Sequence, residues 1–347
     1  MARFVLLLIL GMTIFSAAAL AANSAVIFMY HRFGEGNYPS TSITLDQFQA
    51  HITELQQGGY TVMAVADIVA ALQKGEALPD RAIGITIDDA YLSAFSQAWP
   101  RLKAAGFPLT LFVATDPVDR KTRGYMTWQQ IRQLKKEGVT IGSQSASHLH
   151  MAASTEQANR RDLEKSKARF RAELGVTPEL IAYPYGEAGL AVMTLAEEAG
   201  FKAGFGQHSG VVGKYSNMYY LPRFALNEKY GAVDRFRLAA NALDLPIGDL
   251  TPADPLIDAG DENPPALGFT LLGGVRGLSK SGQNLSCFAS HEGATSVTRL
   301  GGEDGGDVRI EVRMKTAMPP GRTRLNCTLP AGQGRWHWFG QQYFVKK

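Results

Sequence analysis

The chain has 347 residues, of which 45% are hydrophobic and 10% aromatic, so it is long enough for one large or two ordinary domains and too hydrophobic to be disordered. Its formal net charge is +3, and lysine and arginine are interspersed among aspartate and glutamate without a long basic run. This pattern lacks the electrostatic footprint of a nucleic-acid-binding protein, so we expect no nucleic acid partner.

Residues 1–22 have the pattern of an export signal. One arginine is followed by an apolar stretch that ends in small residues of the Ala-x-Ala type. The pattern predicts a secretory signal peptide and a periplasmic or extracellular protein. The alternative is an uncleaved membrane anchor, because the apolar run from Phe4 to Ala22 is nearly long enough to span a bilayer.

Residues 23–245 alternate short apolar runs with amphipathic stretches. Buried strands are predicted for "AVIFMYH", "RAIGITID" and "PLTLFVAT", and a helix that begins at a threonine cap and ends at glycines is predicted for "TLDQFQAHITELQQGG". Repeated strand-helix units indicate a parallel sheet. We therefore expect an α/β fold with a distorted (β/α)7-type barrel, closed or nearly closed.

The composition changes after residue 245. Residues 246–264 are rich in proline, aspartate and glycine, which predicts a linker. Residues 265–347 contain short alternating runs separated by glycines, which predict a small all-β sandwich-like domain.

Two pairs of residues in this last segment allow further predictions. Cys287 and Cys327 are the two cysteines of the chain, and export favours a disulfide between them over two unrelated buried thiols. Trp336 and Trp338 share one strand face, where they would stack on sugar rings if exposed and form sandwich core if buried.

Polar residues follow three predicted strands, and in parallel barrels the reactive groups collect at such carboxyl ends. Asp88 and Asp89 follow the buried run 82–87. A cation or a shared proton would explain why two carboxylates that repel each other lie side by side. The alternative is a helix cap. His148 and His150 lie in "IGSQSASHLHM". With one of the aspartates they predict a three-ligand metal site with an open position, whereas the alternative is two loop histidines without such a role.

A third strand end, "LIAYPYGEAG", places Tyr183 and Tyr185 around Pro184. The turn could direct a backbone N–H at a developing oxyanion while the two rings flank a sugar. Aromatic packing is the alternative.

These segments resemble the NodB-homology polysaccharide deacetylases, carbohydrate esterase family 4. The family pattern T-[FY]-D-D matches "TIDD" at 86–89, H-[ST]-x-x-H aligns with "QSASH" at 144–148, and R-P-P-[FY]-G aligns with "AYPYG" at 182–186. The segments "VIFMYHRFG" and "AYPYGE" are especially similar to the exported poly-N-acetylglucosamine deacetylase subgroup. The resemblance covers about residues 25–230.

The resemblance implies a role for each matching position. Asp88 would be the general base that activates water, and the backbone N–H of Tyr185 would form part of the oxyanion hole. Asp89, His148 and Gln144 would hold a divalent metal, with Zn²⁺ as the expected ion. His150 is the alternative to Gln144, because an amide oxygen is a weaker Zn²⁺ ligand than imidazole.

The chain also departs from the family pattern. Gln144 stands where the family has a metal-binding histidine, and Ala182 stands where it has an arginine that orients the catalytic aspartate. The later motifs that place a general acid have no clear counterpart. His31, His208 and Arg223 lie at predicted strand ends and are candidates to substitute for the missing groups. With Tyr183, these three residues are also the predicted substrate-binding residues.

The function that the resemblance implies is a metal-dependent hydrolase that removes N-acetyl groups, or O-acetyl groups, from an envelope or extracellular polysaccharide. The alternative is a glycan-binding protein that retains the deacetylase barrel but has lost turnover. Gln144 and Ala182 favour such a loss, whereas the retained aspartates and His148 argue against it.

Overall fold

The computed structural model describes residues 21–346, apart from residues 259, 274, 276, 280–283 and 303–305. The predicted signal peptide lies outside the described residues except for Ala21–Ala22, which pair with Leu78–Pro79. Within the described part of the chain, no helix combines the length and the apolar character that crossing a membrane requires.

One curled sheet of nine strands forms the centre of the first domain in the described chain. Its strands are β1 (Ser24–Tyr30), β2 (Thr61–Met63), β3 (Ala82–Ile87), β4 (Thr110–Val113), β5 (Thr140–Ser143), β6 (Leu180–Ala182), β7 (Ala203–Phe205), β8 (Val212–Gly213) and β9 (Phe224–Ala225). Nearly every residue of β1, β3 and β4 is buried, as expected for parallel strands that are covered on both faces.

The sheet order is β7-β6-β5-β4-β3-β1-β8, with β2 paired to β3 and β9 paired to β1. All pairings are parallel except β8 with β1. The segment 218–225 closes the gap, because the Leu221 N–H donates to the carbonyl of Gly204 in β7 while Phe224 pairs with Phe28 of β1. The predicted α/β barrel is therefore confirmed.

Helices cover the outside of this sheet. They are α1 (Leu45–Gln57), α2 (Val65–Lys74), α3 (Trp99–Ala104), α4 (Thr115–Asp119), α5 (Trp128–Lys136), α6 (Glu156–Leu174), α7 (Leu190–Glu198) and α8 (Val233–Ala240). Thr44 and Gln47 form a capping box at the start of α1, and Gly58 ends the helix, as the sequence predicts.

The second domain consists of two packed sheets, which are antiparallel except where two short strands pair in parallel with the last strand. Its strands are β10 (Leu243–Asp244), β11 (Ile247–Thr251), β12 (Leu256–Ile257), β13 (Leu267–Leu271), β14 (Ser286–Ala289), β15 (Gly293–Ala294), β16 (Ser296–Gly301), β17 (Val308–Arg313), β18 (Gly321–Gly332) and β19 (Arg335–Val345). One sheet runs β10-β19-β18-β14-β15 with β12 on β19, and the other runs β11-β13-β17-β16. Buried residues of both sheets share one core, which agrees with the predicted sandwich.

The prediction of a linker at 246–264 is wrong. Residues 247–251 form β11 and pair with β13, and residues 256–257 form β12 and pair with β19. Proline, aspartate and glycine correctly indicate turns in this segment, but the strands are very short. Because they join sheets built by distant residues, their own composition does not reveal them.

The predicted disulfide is confirmed. Cys287 of β14 lies opposite Cys327 of β18, and the two sulfur atoms are bonded. Both side chains are buried in the sandwich core. The bond therefore joins neighbouring strands within one sheet.

Replacing both cysteines by alanine is expected to lower the free energy of unfolding of the β-domain by about 3 to 4 kcal/mol. The reason is that the bond constrains a loop spanning 40 residues in the unfolded chain. Urea denaturation of the oxidised protein and of the double variant would measure the difference. Reduced wild type should match the variant, and equal stability of all three samples would contradict the prediction.

The two domains pack against each other through β19. Trp338 lies edge-on to Phe224 of β9, with ring centroids 5.1 Å apart, and its indole nitrogen donates to Asn326. Trp336 on the same strand is 37% exposed. Neither alternative predicted for the tryptophan pair describes Trp338, because it packs on the barrel instead of inside the sandwich.

His208 lies buried near the domain contact and should make stability depend on pH. Burial, together with the charges of Arg324 and Arg223, lowers the pKa of His208 to about 3. Below its unfolded pKa of about 6.5 the unfolded chain binds a proton that the folded chain does not, so stability falls as the pH falls.

We expect the free energy of unfolding to drop by about 2 to 3 kcal/mol more between pH 7 and pH 4.5 in wild type than in a His208→Gln variant. Urea denaturation at both pH values would measure the difference. An identical pH dependence of the two proteins would show that His208 does not contribute.

Candidate active site

Three loops at the carboxyl ends of β3, β5 and β6 meet at one rim of the barrel. Among the described residues nine non-glycine residues have positive φ, and five of them lie in these loops: Asp89, Ala90, Ser145, His148 and Tyr185. Such conformations cost on the order of 1 kcal/mol or more each and concentrate at functional sites. The clustering therefore marks this rim as the candidate site.

Asp88 is held beneath the rim by a buried arginine. Both of its carboxylate oxygens accept hydrogen bonds from Arg223, at 2.7 and 2.8 Å, and both side chains are fully buried. Arg223 also donates to Thr86 and to the carbonyl of Gly206. A guanidinium from a segment far along the chain thus pairs with Asp88.

Asp89 points toward the cleft and interacts with His148. Its Oδ1 lies 3.3 Å from Nε2 of His148 and is buried without a hydrogen-bond partner in the described chain. Although burial acts to raise it, the close approach of His148 and the nearby His31 together lower the pKa of Asp89 to about 2. The carboxylate is therefore ionised at neutral pH.

Gln144 supports the Asp89 loop. It is fully buried at the end of β5, and its Oε1 accepts a hydrogen bond from the Asp89 N–H at 3.0 Å. The amide nitrogen of Gln144 has no partner among the described residues. In this arrangement the oxygen that was predicted to bind the metal is already engaged, which argues against Gln144 as a direct ligand.

The residues at this rim fit a divalent cation only in part. Two ligands at about 2.1 Å from one tetrahedral ion lie roughly 3.4 Å apart, which matches the Asp89–His148 separation of 3.3 Å. A catalytic site of this type needs three protein ligands. Within the described part of the chain, however, no group of three or more His, Cys, Asp or Glu side chains is arranged to hold a metal. The predicted set of Asp89, His148 and Gln144 contains an amide and lies outside this comparison, so it stays a prediction.

His150 is not oriented as the predicted alternative ligand. Its ring stacks on Tyr185 with centroids 3.9 Å apart, and its Nδ1 lies 2.7 Å from Oε2 of the buried Glu187. His148 packs edge-on against the same tyrosine ring, at 4.5 Å. The two histidines therefore enclose Tyr185, and Glu187 holds His150.

The rim opens into a cleft of about 480 Å³. Its walls include Asp89, His148, His31, Tyr91, Tyr125 and Tyr185. The rings of Tyr91 and Tyr125 lie 4.7 Å apart, and the Arg32 guanidinium packs over Tyr91. Aromatic walls beside a few convergent polar groups are typical of carbohydrate sites.

The structure corrects three of the four predicted substrate-binding residues. Tyr183 and Arg223 are fully buried, His208 is 1% exposed, and none of these side chains lines the cleft. Tyr183 is packed within the core beside α7, and burial raises its pKa well above the usual value. His31 lines the cleft, and its substrate contact remains a prediction.

Arg322 and Gln342 were not among the site residues predicted from the sequence. Both lie in the β-domain, in β18 and β19, yet Arg322 lines the cleft and Gln342 bonds to the turn that contains Tyr185. No local pattern distinguishes them from other polar residues on alternating strands. Their place depends on how the sandwich packs on the barrel.

Comparison with known proteins gives similarities that cover part of the chain. Residues 75–204 match the family model described as polysaccharide deacetylase. The Bacillus subtilis protein YxkH is 26% identical over 197 residues, which cover 57% of this chain and 69% of YxkH. The poly-beta-1,6-N-acetyl-D-glucosamine N-deacetylase of Staphylococcus aureus is 24% identical over 232 residues, covering 59% of this chain and 80% of that enzyme.

Solved structures share the fold of the barrel. The Streptococcus pyogenes deacetylase PplD superposes with a TM-score of 0.58 at 18% identity, covering 62% of this chain and 98% of PplD. IcaB from Ammonifex degensii gives 0.54 at 22% identity, covering 62% and 96%. Residues 75–204 of this chain are thus similar to the polysaccharide deacetylase family model, and its barrel has the fold of the solved deacetylase structures.

Proposed function

We propose that this chain is an exported, divalent-cation-dependent deacetylase that removes N-acetyl groups from an envelope or extracellular polysaccharide. The observation that carries the proposal is the presence of Asp89, His148 and Tyr185 in one tyrosine-walled cleft above the buried Asp88. The named activity of the Staphylococcus aureus relative supports a poly-N-acetylglucosamine as the substrate class.

Each group would have a defined task in acetamide hydrolysis. Asp88 would accept a proton from the attacking water, because its oxygens retain lone pairs beyond those used by Arg223. The backbone N–H of Tyr185 would donate to the oxyanion that develops from the carbonyl. As the C–N bond breaks, the proton held by Asp88 would pass to the departing nitrogen, which leaves acetate and a free amine on the sugar.

Asp89 and His148 would hold the cation, with Zn²⁺ as our proposed ion because carboxylate and imidazole are among its usual ligands. A divalent cation supplies Lewis-acid chemistry at a carbonyl oxygen. His31 lines the same cleft and is a further candidate to approach the ion. Gln144 would support the site through the Asp89 backbone, as its hydrogen bond indicates.

Acetate release from poly-β-1,6-N-acetylglucosamine and from chitooligosaccharides would test the activity. The assay should compare chelated protein with protein supplied with Zn²⁺ or Co²⁺. We expect release that depends on the added cation. An O-acetylated glycan in a parallel assay would separate amide from ester hydrolysis.

Calorimetric metal titration would test the ligands. His148→Ala is expected to lose most of the affinity, while His150→Ala, the matched control two residues away, should retain it. The ligand proposal fails if His148→Ala binds as tightly as wild type. A large loss in His150→Ala alone would transfer the position to that residue.

The alternative function is a glycan-binding protein without turnover. It is favoured because no group of three His, Cys, Asp or Glu side chains is arranged to hold a metal in the part of the chain that the structure describes. Binding of chitooligosaccharides without acetate release, with every cation tested, would support this alternative.

A further inference from the structure

The C-terminal β-domain contacts the turn at residues 183–187, which carries the backbone N–H proposed for the oxyanion. Gln342 of β19 is fully buried, and its side-chain nitrogen donates to the carbonyl of Gly186 at 2.7 Å and to that of Tyr185 at 3.2 Å. The Tyr220 hydroxyl donates to the same Gly186 oxygen, at 2.8 Å. Side chains from outside the turn therefore fix both carbonyls.

Arg322 of β18 reaches the same turn from the cleft side. Its Nη1 lies 3.4 Å from the carbonyl oxygen of Tyr185, and its Nε lies 3.6 Å from Oε1 of Glu187. Glu187 is buried and also engages His150, whose ring covers Tyr185. One ion-pair network thus connects the β-domain to both the backbone and the ring of this tyrosine.

The turn needs support of this kind because its backbone is strained. Tyr185 has φ of 60° and Gly186 has φ of 70°, and a non-glycine residue keeps such a conformation only where its surroundings enforce it. A Cβ atom at Gly186 would collide with the backbone nitrogen of Gln207. Arg324 of the β-domain donates to the Gln207 carbonyl at 3.1 Å, so this neighbouring segment is also held by the β-domain.

We infer that the C-terminal β-domain is a structural component of the catalytic cleft, in which Gln342 and Arg322 are positioning residues for the Tyr185 turn. The inference rests on the proposed deacetylase function and extends it. The family model ends at residue 204 and includes neither residue. The barrel of this chain therefore requires the sandwich for a correctly shaped oxyanion site.

Two variants of the full chain test the inference. Gln342→Met keeps the length of the side chain but removes both donor hydrogens, and Gln341→Met is the matched control because the neighbouring side chain points to the opposite face of β19. We expect Gln342→Met to lower kcat by about 10- to 100-fold, with KM within about threefold of wild type, because a displaced turn weakens transition-state contacts.

Arg322→Ala is the second variant. The Arg322 side chain is 39% exposed, so we expect this variant to fold, and it tests the inference even if Gln342→Met does not fold. We expect a smaller fall in kcat, about 3- to 10-fold, because its hydrogen bond to Tyr185 is long. Arg313→Ala is the control, since that arginine pairs with Glu311 on the other sheet. It should leave kcat unchanged.

Amide hydrogen exchange over residues 183–187 provides a readout that does not require activity. Faster exchange in Gln342→Met and Arg322→Ala, but not in the controls, supports the inference. Unchanged exchange and kcat, an equal loss in the controls, or a change in KM alone overturns it. If wild type releases no acetate, the proposed function fails and the exchange data alone decide whether the β-domain positions the turn.

Discussion

An Asp88→Asn variant is expected to retain cation binding and to lose kcat by about 10²- to 10⁴-fold, the range for removal of a positioned general base. The amide cannot accept the proton of the attacking water, whereas the proposed ligands Asp89 and His148 are unchanged. Acetate release and calorimetric metal titration of the same preparation would measure the two effects separately.

The folded fraction must be established for this variant, because Asp88 pairs with Arg223 in a fully buried position. Circular dichroism and the urea midpoint would show how much of the assayed protein is folded. Wild-type acetate release by folded Asp88→Asn protein would remove Asp88 from the mechanism. Loss of metal binding together with activity would instead indicate that the whole rim depends on this carboxylate.

Arg223→Met is expected to lower the free energy of unfolding by about 3 to 5 kcal/mol, because it leaves the Asp88 carboxylate buried without a countercharge. The substitution also removes the donor to the Gly206 carbonyl. Urea denaturation of the full chain would measure the loss. Asp88→Asn is expected to destabilise for the converse reason, since Arg223 then lacks a carboxylate.

The double variant Asp88→Asn/Arg223→Met tests whether the cost comes from an unpaired charge. No charge then remains buried in the double variant. Its free energy of unfolding should therefore fall by less than the sum of the falls in the two single variants, by roughly 2 to 3 kcal/mol. The double variant should nevertheless remain inactive. Strict additivity of the two losses would contradict direct coupling of this pair.

The barrel and its three strand-end motifs could be predicted from the sequence because they are local patterns. Buried strands such as Ala82–Ile87 appear as apolar runs, and helices such as Leu45–Gln57 appear through caps and periodicity. The strand ends then bring Asp88, Asp89 and His148 to one rim, since the ends of parallel strands meet there. The disulfide followed from composition, because the chain has only two cysteines.

The directions of the side chains at the rim could not be predicted from the sequence. Gln144 and His150 occupy the segment that was predicted to bind metal, but one supports the Asp89 backbone and the other pairs with Glu187. Single positive-φ residues, such as His148 and Tyr185, redirect these loops. Sequence spacing does not specify such dihedral angles for non-glycine residues.

The sequence by itself thus determined which segments are buried and which polar residues end the strands, because burial and helix capping depend on near neighbours. Only the tertiary structure decided the long-range partners. Arg223 meets Asp88 across 135 residues, and Gln342 meets Gly186 across 156. Those contacts require closure of the barrel and packing of the sandwich on it, and their geometry depends on the position of whole domains, which no local pattern encodes.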